Sequence, residues 1–121
     1  MQYAVLCYHD EKVTCAWSKE HDDAVMAKLG AVMEKHKHKL GPVARLLPTT
    51  AATTLRKDRE PALVIDGPFA ETKEQLLGFY IIDCASLDEA LEFARELGAV
   101  NPGGAYEIRP VGVLFAGATA S

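Results

Sequence analysis

The sequence predicts an α+β fold, one antiparallel sheet with two helices on one face, and three observations carry that reading. Short β-rich runs bounded by turn residues occur at 2–8, 43–47, 53–57, 62–65, 76–84 and 105–111. Two longer stretches place apolar residues at helical spacing. Their order, β-α-β(ββ)-β-α-β, is the split βαβ plan with an extra hairpin, which puts both helices on the same side of the sheet.

Residues 2–8, QYAVLCY, read as a first strand, ended by His9-Asp10-Glu11, and residues 11–18 read as a loop holding the single tryptophan, Trp17. Ser18 caps a helix expected to run to about Lys39. Glu20, Asp22 and Asp23 sit in its first turn and Lys35 to Lys39 in its last, as the helix dipole favours. Val25, Met26, Leu29, Val32, Met33 and Leu40 form its apolar stripe, and Gly41-Pro42 stops it. Residues 43–47 read as a strand ended by Pro48, and Thr53–Lys57 and Ala62–Ile65 as a hairpin turning at Asp58–Pro61. Leu76–Cys84 is the strongest strand pattern. Ser86-Leu87-Asp88-Glu89 is a capping box opening a helix with Leu87, Ala90, Leu91, Ala94 and Leu97 on one stripe, closed by Gly98. After the loop Asn101–Gly104, Ala105–Val111 is the last main strand, with Pro110 marking an edge or an end. Val113–Phe115 pairs weakly at most, and Ala116–Ser121 reads as a loose tail.

The 121 residues make one domain, 1–121, with one core. A net charge of −4 argues against nucleic-acid and anionic-membrane partners, which select basic surfaces. No apolar run reaches a membrane span, and Met1–Tyr8 lacks the basic flank and cleavage site of a signal peptide. Cys7, Cys15 and Cys84 have neither metal spacing nor an even number, so a reducing cytoplasm is the expected compartment.

The strand 76–84 carries Leu77, Phe79 and Ile81 on one face and Leu76, Tyr80 and Ile82 on the other. The first strand sets Tyr3, Val5 and Cys7 against Ala4, Leu6 and Tyr8. Both are apolar on both faces, yet two helices cover only one. A second copy packed on the free sheet face through a two-fold interface is the expected cover. The alternative is that the hairpin or the tail folds over it.

The run Val64-Ile65-Asp66-Gly67-Pro68-Phe69-Ala70-Glu71-Thr72-Lys73-Glu74-Gln75, continuing through Leu76-Leu77-Gly78-Phe79-Tyr80, resembles the signature of the DGPF-domain, YCII-related family. Leu6 to Glu11, Ala52 to Arg56, Asp88-Glu89-Ala90 and Tyr106 to Pro110 extend the resemblance over nearly the whole chain. It implies a ferredoxin-like, dimeric α+β barrel, without a shared reaction. It also implies, weakly, a link to sigma-factor-type transcriptional control. In the enzyme-like relatives a histidine near the start of the first helix and an aspartate after the second form a proposed acid–base pair. His21 stands near the first position, but Asn101 occupies the second, and asparagine is no general base.

Five residues are candidates for catalysis or binding. Asp66 and Glu71 are candidate bases, with Lys73 as charge partner, on the turn 66–74. The other reading makes that turn architectural, with Asp66 in an Asx-turn. Arg109 shares a strand face with Glu107; it either bridges to Asp66 or Glu71 and shapes a site for a small anionic ligand, or forms a structural ion pair. His9 stands at a strand end, as a pocket-rim residue or a plain loop histidine. His36 falls on the apolar helix stripe, and His36 and His38 do not share a face. No motif points to a cofactor, and no cluster to a metal. The expected function is a homodimeric small-molecule-binding protein, in its narrower form a cofactor-independent enzyme using acid–base residues. The alternative is a noncatalytic regulatory or interaction module.

Overall fold

β1, Gln2–His9, is apolar on both faces and lies inside the sheet, where both edges find partner strands and Tyr3 and Val5, on the helix side, are buried. The computed structural model describes residues 1–115 and Gly117, so most of the expected tail, 116–121, lies outside the described residues. β1 pairs antiparallel with β5, Gln75–Asp83, on one side and with β6, Ala105–Pro110, on the other. β2, Leu40–Arg45, pairs antiparallel with the far edge of β5. The order β2-β5-β1-β6 is that of an α+β, ferredoxin-like sheet. The hairpin β3, Thr53–Arg56, and β4, Leu63–Asp66, which lies along the chain between β2 and β5, forms a separate two-stranded sheet.

The local expectations differ from the structure at a few ends. The expected loop at 11–18 begins as a one-turn helix, α1, Glu11–Thr14, because Asp10 Oδ1 accepts the Lys12 amide at 2.9 Å. α2 spans Lys19–Lys35 rather than reaching Lys39; Ser18 caps it by accepting the His21 amide at 3.0 Å. Residues 36–39 turn the chain instead, so that β2 starts at Leu40 and takes in Gly41-Pro42. A register shift between Leu40 and Val43 accommodates the proline on this edge strand. α3, Leu87–Val100, runs through Gly98, and Val113–Phe115 form no strand. Ser86 accepts the Glu89 amide at 3.3 Å, while Glu89 Oε2 accepts the Ala85 amide at 3.0 Å, one residue before the cap.

Helix coverage of the sheet is uneven. α3 buries Ala90, Phe93, Ala94 and Leu97 against Tyr3, Val5, Tyr80 and Ile82, whereas α2 buries only Val25 and Leu29. The β1–β6 side is therefore a filled core, and the β5–β2 side beneath α2 is looser. No helix of the described residues is long and apolar enough to cross a membrane.

Candidate functional site

Strand register sets one row of residues across the sheet beneath the helices: Tyr106, Cys7, Gly78 and Arg45. The next row is Ile108, Val5, Tyr80 and Val43. In the second row Val5 and Tyr80 are buried while Val43 stays exposed, and the first row has a gap where Gly78 carries no side chain. α2 roofs that gap with Val25, Met26 and Leu29, and the result is a cavity of about 410 Å³. Its volume is within the range of small-molecule sites.

A few polar groups converge on this largely apolar space. Arg45 donates from Nη1 and Nη2 to both carboxylate oxygens of Asp22, at 3.2 and 3.0 Å, tying the last residue of β2 to the first turn of α2. This hydrogen-bonded carboxylate raises the Arg45 pKa further. Asn101 lines the cavity and donates from Nδ2 to the Tyr106 hydroxyl at 2.8 Å. Burial pushes the Cys7 thiol up, although Tyr106 and Asn101 hydrogen bonds partly offset it. Burial also raises Tyr106, and it pushes Tyr80 up to about 12. The floor of the cavity is thus a neutral hydrogen-bonding surface at physiological pH.

His9 and Trp17 close one end, with ring centroids 6.4 Å apart and planes at 88°. The loop after α3 passes so close to His9 that it needs glycine twice. Gly103 and Gly104 have φ of +78° and +75°, and a Cβ on either would collide, with the His9 ring or with the Tyr8 carbonyl oxygen. Glu11 also lines the cavity, but both its carboxylate oxygens are engaged by Thr49, from the amide at 3.0 Å and from the hydroxyl. Its role there is to tie α1 to the 3₁₀ turn Thr49–Ala51.

Of the residues singled out from sequence, His9 lines this cavity. Glu71 and Lys73 line a separate polar groove of about 200 Å³ with Asp10, Lys12, Thr49 and Gln75. Asp66 is exposed at the end of β4, opposite Thr53. The turn that follows it is held by Thr54 Oγ1 donating to the Gly67 carbonyl and Gly67 N–H donating to Ala52, each at 2.8 Å. Arg109 is exposed and ion-paired with Glu107 rather than with Asp66 or Glu71. His21 packs edge-on against Trp17 at 4.6 Å without lining the cavity, so His21 and Asn101 are not joined as a pair. His36 packs on Phe93 and bonds Glu96, an inter-helix contact. Among the described residues no group of three or more His, Cys, Asp or Glu is placed to hold a metal.

Sequence reasoning missed Arg45, Asp22 and Cys7 as site residues. One signal was available: Gly78 interrupts the strongest strand, and a strand glycine marks a bulge or a close approach.

A YCII-related domain model matches residues 1–114. An uncharacterized protein, R00369, of Rhizobium meliloti (strain 1021) is 64% identical over 120 residues, covering 97% of each chain. On that match and on this sheet order, the chain belongs to the YCII-related family.

Proposed function

We propose that the protein is a homodimer that binds a small molecule in the cavity beneath α2. The observation that carries this is the cavity itself, about 410 Å³, apolar in its walls with a few convergent polar groups. If a reaction is catalysed there, acid–base work falls to groups at the rim such as His9, because Cys7 and Tyr80 on the floor stay protonated. The polar groove holding Glu71 and Lys73, and the exposed Asp66 and Arg109, are the competing locations for the site. A reducing cytoplasm suits the free thiols of Cys7, Cys15 and Cys84.

The dimer is supported by apolar surface that one chain leaves uncovered. The sheet face opposite the helices carries Ala4, Leu6 and Phe79, which the chain leaves partly exposed. The β3–β4 hairpin exposes Leu55 and Val64 at 60% and 64%, the turn after it exposes Phe69 at 73%, and a two-stranded hairpin alone is marginally stable. The same hairpin patch favours a second reading, an interaction module for a regulatory partner.

A metabolite-library thermal-shift screen separates the possibilities. The expected result is a hit whose stabilisation is lost in Trp17→Ala and Asn101→Ala and kept in Asp66→Ala and Arg109→Ala. Loss in the Asp66 or Glu71 variants alone would move the site to the turn 66–74. Absence of any hit would favour the interaction module.

A further inference from the structure

We propose that the ligand of the α2 cavity is a small apolar monocarboxylic acid, and that Asp22 occupies the ligand's place on Arg45 when the cavity is empty. The inference rests on the reading of this cavity as a small-molecule site. Among the described residues Arg45 is the one Lys or Arg side chain lining the cavity, and its side chain is 57% exposed, within reach of an entering molecule. Its guanidinium is already engaged by both oxygens of one carboxylate, in the two-point geometry that planar carboxylates share. A ligand carboxylate would exchange for that of Asp22 with the ion pair conserved.

Asp22 has somewhere to go. It lies in the first turn of the 17-residue α2, where the positive helix end stabilises a free carboxylate. The remaining walls suit a hydrocarbon or aromatic body: Val25, Met26, Leu29 and Val43 surround the gap over Gly78. A single cation facing an apolar chamber matches a singly charged acid better than a phosphate, which calls for several donors or a second positive charge.

The test is calorimetric titration of the full chain with phenylacetate and hexanoate, and with their neutral amides phenylacetamide and hexanamide. The acids should bind tighter than the amides, though by less than the about ten- to hundredfold that hydrogen bonds to a charged partner contribute, because Asp22 gives up the same bonds. Arg45→Gln should bring the acids down to the amides' affinity and leave the amides unchanged. Asp22→Asn should tighten acid binding, a gain that general loss of structure cannot produce. Equal binding of acids and amides, or an Asp22→Asn variant that weakens the acids, would overturn the proposal while leaving the cavity a ligand site. If neither acids nor amides bind, and the metabolite screen also finds nothing, the cavity reading falls and takes this proposal with it.

Discussion

Gly78 shows how one residue positions a site. It is buried in β5 between Leu77 and Phe79, and its missing side chain leaves the row between Cys7 and Arg45 open. A Cβ there would run into the Ala44 carbonyl oxygen of the neighbouring strand. Gly78→Ala should therefore destabilise the fold by about 1–3 kcal/mol through overpacking, read as a lower urea midpoint at unchanged m-value. The strand glycine was legible in the sequence, but its consequence was not. Which residues flank a gap depends on register with β1 and β2, and register is a property of paired strands.

Helix ends were the most legible features among the elements. Ser18 and Ser86 both cap as their spacing predicts, because capping is a local contest between a side chain and the first free amides. Ser86→Ala should cost about 1 kcal/mol, measured by urea unfolding. The start of β2 was less legible: Gly41-Pro42 is a stop signal for a helix, yet here it is an edge strand with a register shift. The C-terminal end of α2 and the turn after it are fastened to α3 by two ion-pair groups. Lys39 bonds Glu89 at 2.6 Å, and Lys35 and His36 both reach Glu96. The Lys39 hydrogen bond, helped by the Ala85 amide, lowers the Glu89 pKa; the Lys35 and His36 bonds lower that of Glu96. A carboxylate whose pKa is depressed on folding stabilises above its unfolded pKa, and that contribution fades as pH falls through the folded value. Stability should thus decline below the ordinary glutamate range. In Glu89→Gln/Glu96→Gln the decline measured by urea titration between neutral and acid pH should be shallower.

For the whole molecule the governing quantity is apolar surface left over after one chain has folded. Two helices shelter one face of the four-stranded sheet, and the hairpin β3–β4 keeps its own apolar side chains exposed. Sedimentation at micromolar concentration should give a dimer. Phe79→Arg, on the face away from the helices, should shift it to monomer by placing a charge in the contact. A wild-type chain that sediments as a monomer throughout would remove the dimer and leave the hairpin patch for another partner.

The sequence by itself determined the α+β class, the number and order of the strands, both helix starts and the surplus of apolar strand faces. Each follows from periodicity and capping, which act over a few residues. Only the tertiary structure decided where the chamber lies. Cys7, Asp22, Arg45, Gly78 and Asn101 come from five distant stretches of chain and meet because β1, β2 and β5 pair in one register and α2 lies over them. The conspicuous turn Asp66 to Glu74 reads strongly in one dimension, since its charges are adjacent. The chamber's residues carry no such mark, because a gap between packed elements is defined by side chains that are missing or held apart.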